Sequence, residues 1–190
     1  MMLAAFLNLH GEPAVVVGGG AVAGRRVRTL LDAGMKVSVI APTIAPELRA
    51  QDVACMERAY LSGDLNGARL VLACTDSAET NNRVTADALS LGLLVSHAGD
   101  ADQGNLRFPA TLERGGVQLA LTTGRELPML AQALREKLEQ VLPETLPLDG
   151  WVARRELAVA LSGPEREAAL SALRREIRQT VGLSVAGVGA

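Results

Sequence analysis

The chain has 190 residues, 48% of them hydrophobic, with 19 basic and 21 acidic side chains and a formal charge of −2. So apolar and so weakly charged a composition excludes intrinsic disorder, and the slight acidic excess leaves no basic field for a nucleic-acid partner. No apolar run reaches the roughly 18 residues that mark a membrane span, so a cytoplasmic globular protein with no membrane partner is expected.

The first hundred residues alternate strand and helix patterns. Ala14–Val17 is a compact apolar run, and Val22, Ala23, Val27, Leu30 and Leu31 then recur at helical spacing until Gly34. Lys36–Ala41 reads as a second strand closed by Pro42, followed by a helix over Ile44–Ala50 and a strand over Val53–Arg58. Arg69–Cys74 reads as a fourth strand, Glu79–Leu91 as a helix and Leu93–His97 as a fifth strand. Strands alternating with helices imply a doubly wound parallel sheet, a Rossmann-like α/β fold.

The pattern changes near residue 100. Asp100–Gly104 is a turn cluster, and Leu106–Leu112 and Val117–Thr123 bracket Arg114-Gly115-Gly116 as an antiparallel hairpin. Pro128 opens a helix with Leu130, Leu134, Leu138 and Val141 on one face, and Pro143 ends it. Two short helices follow the linker, Trp151–Leu161 and Pro164–Thr180. The start, Met1–Leu9, lacks the basic region of a secretory signal. The two cysteines, Cys55 and Cys74, have no paired spacing, so neither a disulfide framework nor a structural zinc site is expected. Only Lys36 and Lys137 among the basic residues are lysines; codon bias explains this most simply, and a polycarboxylate ligand is the functional alternative.

Val17-Gly18-Gly19-Gly20-Ala21-Val22 sits where the first strand feeds the first helix. Gly18 suits a tight turn, Gly20 admits a pyrophosphate close to the backbone, and Ala23 or Gly24 lets the helix lie near the sheet. The phosphates would meet the free N–H groups at the helix start, near Ala21 and Val22. The end of the second strand, Ile40-Ala41-Pro42-Thr43, carries neither the acid that binds ribose hydroxyls nor an arginine for a 2′-phosphate. These residues by themselves do not choose between NAD and NADP. Thr75 and Asp76 end the fourth strand, where open α/β sheets place ligands; Asp76 could equally cap the next helix.

These residues carry a resemblance to a known family. Val17-Gly18-Gly19-Gly20-Ala21-Val22-Ala23 followed by Arg25-Arg26, Ala73-Cys74-Thr75-Asp76 with Asn81, Phe108-Pro109-Ala110, and Thr122-Thr123-Gly124 through Pro128 to Leu134-Arg135-Glu136-Lys137-Leu138-Glu139 follow in one order. The chain resembles the precorrin-2 dehydrogenase / sirohydrochlorin ferrochelatase family of siroheme biosynthesis over about residues 1 to 142. The resemblance implies a dinucleotide-binding domain over 1–102, a swapped dimerisation region over 103–145 and a small helical C-terminal domain over 146–190. It implies a homodimer that oxidises precorrin-2 to sirohydrochlorin with NAD, and in some members inserts ferrous iron. The methyltransferase domain fused to the long relatives is not expected within these 190 residues.

The implied cofactor-binding residues are Gly18, Gly19, Gly20, Ala21, Val22, Ala41, Pro42, Thr75, Asp76 and Asn81. The tetrapyrrole substrate bears eight carboxylates, and Arg107, Arg114, Thr123 and Arg125, in or beside the hairpin, are the expected contacts to it. Aligned back from Pro109, the family's catalytic aspartate falls on Gly99, with Asp100 one residue later. Asp100 is the first candidate for the proton acceptor, with Gly99 giving it freedom to turn inward. His97, of the residue type that titrates nearest neutrality, is the second. The competing reading is a non-enzymatic dinucleotide-binding redox sensor or regulatory domain. A channel-type nucleotide-binding regulatory domain is disfavoured by the hairpin-to-LREKLE stretch.

Overall fold

Pro13–Val17 (β1) lies at the centre of a five-stranded sheet because Ala14–Val17 offer only apolar side chains and must be covered on both faces. The computed structural model describes residues 2–123 and 127–183. They fall in two compact units, Met1–Phe108 and Pro109–Ala190.

In the first unit the strands are β1, Lys36–Ile40 (β2), Ala54–Met56 (β3), Leu70–Ala73 (β4) and Leu94–His97 (β5), all parallel and ordered β3-β2-β1-β4-β5. The helices are Ala21–Asp32 (α1), the single turn Pro46–Arg49 (α2) and Ala78–Ser90 (α3), with a 3-10 turn at Ser62–Leu65. Alternate strand residues face opposite cores. Ala14, Val16, Val37, Val39, Leu70 and Leu72 pack with Ala23, Val27 and Leu30 of α1. Val15, Val17, Val71, Ala73 and Val95 pack with Val84 and Ala88 of α3. This is the expected Rossmann-like sheet. The chain reverses direction of travel across the sheet at β1, so the ends of β1 and β4 frame the crevice in which such sheets hold ligands.

The first hairpin strand begins later than its apolar pattern predicts. Asn105 and Leu106 both donate their backbone N–H to the Val95 carbonyl at 3.0 Å. The Asn105 side chain accepts from Val95 N at 2.7 Å and donates to Leu93 O at 2.9 Å, so this segment sheathes β5. A Cβ at Gly104 would collide with the Val95 carbonyl, which fixes glycine there.

In the second unit Ala110–Arg114 (β6) and Val117–Leu121 (β7) form the hairpin. Gly115 and Gly116 turn it with φ of 59° and 76°, the left-handed pair that a two-residue turn of matching twist requires. Helix Pro128–Val141 (α4) buries no residue in this chain. Leu148–Ala160 (α5) starts three residues before the sequence suggests, behind Pro147, and Gly163–Thr180 (α6) packs against it through Trp151, Ala158 and Leu173. Trp151 Nε1 donates to Glu176 at 3.0 Å and Arg154 pairs with the same carboxylate at 2.6 Å.

Candidate functional site

The three glycines at the end of β1 are different physical objects. Gly18 has φ 137°, and a Cβ there would strike the Cys74 carbonyl at the end of β4. A Cβ on Gly19 would strike the Thr43 carbonyl in the loop after β2. Both are fixed by packing: Gly18 N donates to Ile40 O at 2.9 Å and Ala45 N to Gly19 O at 2.9 Å. Gly20 faces open space, with nothing within 4 Å of where its Cβ would stand. It is the N-cap of α1 without a side-chain cap, and the first turn carries no acidic residue. The first N–H groups of α1, from Ala21 and Val22 onward, and the positive end of its dipole are therefore suited to an anion. Ala23, fully buried, makes the close helix–sheet contact, while Gly24 has free space around it.

A cleft of about 200 Å³ opens beside this turn, between Ala41 and Pro42 after β2 and Thr75 and Asp76 after β4. Asn81 does not line it; the residue is buried and braces Thr75. It accepts from Thr75 N at 2.9 Å and its amide donates to Thr75 O at 3.0 Å. Ser77, not Asp76, caps α3, its hydroxyl accepting from Thr80 N at 3.1 Å. That leaves the Asp76 carboxylate exposed at the rim of the cleft. Tyr60 and Arg83 form a wall that sequence reasoning missed, because their contact joins residues 23 apart; the chain's single tyrosine was the available signal.

The loop after β5 is organised by His97. Its ring is buried; Nδ1 accepts the N–H of Gly99 at 3.1 Å and that of Asp100 at 2.9 Å, while Nε2 lies 3.1 Å from Asn82 Oδ1. Two donors on Nδ1 require the tautomer with hydrogen on Nε2, which then donates to Asn82. Both ring nitrogens are thus engaged in holding the loop. Gly99 has no left-handed φ, and a Cβ there would meet only the His97 ring, at 3.5 Å, so the glycine's conformational freedom is not used. Asp100 does not turn inward on it. Its carboxylate accepts from Gln103 Nε2 and from Asp102 N, both at 3.1 Å, and these bonds hold its pKa below the usual carboxylate value.

The expected substrate arginines are mostly engaged. Arg107 pairs with the exposed Asp102, though its Nε is buried without an acceptor. Arg114 is a structural residue of the second unit: Nε donates to Leu142 O at 2.9 Å at the end of α4, and Nη2 reaches Glu144 at 3.2 Å. Thr123 ends the described part of the hairpin, and Arg125 lies outside the described residues. Arg26 stacks over the Phe108 ring at 4.6 Å; burial, then the charge of Arg25, pushes its guanidinium pKa down.

Sheet order, glycine turn and uncovered helix start define a dinucleotide-binding α/β protein. The family NAD_binding_7, described as "Putative NAD(P)-binding", matches residues 5–110, and the chain belongs to it. It is 38% identical over 142 residues to a siroheme synthase of Chromobacterium violaceum, covering 73% of this chain and 30% of that protein. A siroheme synthase of Ectopseudomonas mendocina is 38% identical over 143 residues, 74% of this chain and 31% of the relative. The chain thus spans about a third of the length of these curated relatives. Among solved structures, SirC, a precorrin-2 dehydrogenase, superposes with a TM-score of 0.77 at 26% identity, covering 97% of this chain and 94% of that one. No described helix is long and apolar enough to cross a membrane.

Proposed function

We propose that this chain oxidises precorrin-2 to sirohydrochlorin with NAD, as a step of siroheme synthesis. The observation that carries the proposal is the uncovered start of α1 behind Gly20, in a fold that matches SirC across nearly its whole length. The residues fit a dinucleotide: Gly18 and Gly19 shape the turn, and Gly20, Ala21 and Val22 present backbone N–H groups to the pyrophosphate. Ala41, Pro42, Thr75 and Asp76 line the adenosine side, with Asn81 bracing Thr75. Bound there, the nicotinamide supplies a hydride acceptor.

The chain's own task is to hold the tetrapyrrole and take up a proton. Asp100, a carboxylate whose pKa Gln103 and the Asp102 N–H hold below its usual value, is the proton acceptor we assign, with His97 fixing its backbone. Arg107 holds a rim carboxylate by exchanging its guanidinium away from exposed Asp102. Thr123 and Arg125 complete the substrate contacts, and Arg114 stays with α4. Were ferrous iron inserted as well, as in some members of the family that the chain resembles, stripping two pyrrole protons would call for the same acceptor. The protein works in the cytoplasm as a homodimer, with 1–102 as nucleotide domain, 103–145 as dimerisation region and 146–190 as helical domain. Its second copy covers α4, where Leu130, Leu134 and Val141 are exposed.

The test is anaerobic incubation with precorrin-2 and NAD, followed by absorption spectroscopy for sirohydrochlorin, then repetition with ferrous ion. The absence of aspartate at position 99, with the Asp100 carboxylate turned into its own loop, favours a second reading, a non-enzymatic dinucleotide sensor. NAD binding without any sirohydrochlorin would support that reading and overturn the first.

A further inference from the structure

The dinucleotide cleft is lined by a cation, Arg83, with which no described carboxylate forms an ion pair. Arg83 of α3 lies with its guanidinium 5.3 Å from the centroid of the Tyr60 ring, and Nη2 donates to the Tyr60 carbonyl at 3.1 Å. The platform beneath it is fixed, since the Tyr60 ring is buried and its hydroxyl donates to Asp87 at 2.8 Å. Asp87, one turn along α3 from Arg83, thus holds the Tyr60 hydroxyl and makes no ion pair with Arg83. Arg83 is the single arginine among the described residues that line the cleft; Arg49 of α2 pairs with Glu57 and Arg58, after β3, forks onto Asp64 at 2.6 and 2.7 Å. Arg83 is an exposed residue that lines the cleft, and its hydrogen bond to Tyr60 O uses one of its five N–H donors.

Across the cleft, the end of β2 lacks an acid. Ile40-Ala41-Pro42-Thr43 presents no carboxylate to receive the two ribose hydroxyls, and hence none to repel a phosphate placed on one of them. The single acidic residue lining the cleft is Asp76, after β4, on the other side of β1 from β2. An unneutralised guanidinium bordering the same cleft as an acid-free β2 end is the arrangement that admits a 2′-phosphate.

We propose that the site accepts NADP as well as NAD, and that Arg83 sets this tolerance by pairing with the 2′-phosphate. The proposal rests on the reading of the glycine turn as a dinucleotide site. It is tested by titration calorimetry of the full chain with NAD and NADP separately. The expected result is an NADP affinity within tenfold of that for NAD, or tighter. Arg83→Gln should then raise the ratio Kd(NADP)/Kd(NAD) by about tenfold or more, the scale of a lost charge-assisted pair. Arg83→Met keeps an apolar stem beside the Tyr60 ring but carries no charge; it should raise the same ratio by about the same factor, and it decides the matter should Arg83→Gln fail to fold. NADP binding more than tenfold weaker than NAD in the parent, or an Arg83→Gln effect equal on both nucleotides, would overturn the proposal. Binding of neither nucleotide at millimolar concentration would overturn the cofactor reading itself.

Discussion

His97 Nδ1 accepts the Asp100 backbone N–H at 2.9 Å, so the imidazole fixes the residue expected to take the proton and does not compete with it. The ring is committed on both nitrogens, to Gly99 and Asp100 on one side and Asn82 on the other. His97→Leu removes the acceptor and should cost about 1–3 kcal/mol, the usual range for partly buried hydrogen bonds left unmade. In His97→Asn, Oδ1 takes the place of Nδ1, so more than half of that stability and most of the turnover should return. Urea unfolding and single-turnover rates check this. Equal losses in both variants would show that the ring has a role other than acceptor.

The glycines of the turn should separate by what their Cβ would meet. Gly19→Ala must displace the Thr43 carbonyl, and Gly18→Ala combines a left-handed φ with the Cys74 carbonyl. Each should lose about 2–4 kcal/mol by urea unfolding. Gly20→Asp has room for its side chain, so stability should hold while NAD binding disappears from calorimetry. Undiminished NAD binding in Gly20→Asp would remove the pyrophosphate from this turn.

Much of the first unit was legible because each core strand is a short apolar run between turn residues. The hairpin start was not, because Leu106 carries the apolar pattern of a hairpin strand yet, with Asn105 before it, bonds to backbone groups of β5. The start of α5 was hidden by Gly150, a poor helix former that here sits inside the first turn behind Pro147. The glycine turn and Thr75-Asp76 could be placed from their positions at strand ends. Tyr60 and Arg83 could not, since their pairing depends on α3 lying over the loop after β3. Nor could Arg107 and Arg114 be told apart, since only the fold shows one with an orphaned nitrogen and the other on the carbonyl of Leu142.

The two cysteines should differ sharply in reactivity. Cys74 is buried at the end of β4, and burial pushes its thiol up to about 12 despite the opposing charge of Arg26. Below that value the thiol stays protonated, so at pH 8 it supplies almost no thiolate. Exposed Cys55 should react with a thiol reagent at once, and Cys74 only in denaturant. Two fast-reacting thiols in the native protein would mean that the end of β4 opens.

The proposed homodimer has a direct test in α4. No residue of this helix is buried in one chain, and Met129, Leu130, Leu134 and Val141 are all exposed. Light scattering of the parent at micromolar concentration should give twice the chain mass of 19.9 kDa. A double Leu130→Glu, Leu134→Glu change should return the mass of one chain, since carboxylates would have to be buried in the interface. A parent that stays monomeric across moderate salt would rule the dimer out.

The proton acceptor can be tested by loss and by rescue. Asp100→Asn keeps the shape of the loop, and its Oδ1 can still accept from Asp102 N, but it removes the base. Turnover should fall about 100-fold, the ordinary contribution of general-base catalysis, with NAD affinity unchanged. Position 99, where the resemblance places the family's aspartate, can carry a side chain: its backbone is not left-handed, and a Cβ there meets the His97 ring at an ordinary 3.5 Å. The bonds from Gln103 and Asp102 N hold the Asp100 pKa low and so weaken it as a base. Gly99→Asp should therefore raise turnover in the parent and restore at least tenfold of the activity lost in Asp100→Asn. Full activity in Asp100→Asn, with no response to Gly99→Asp, would mean that no side chain of this loop accepts the proton.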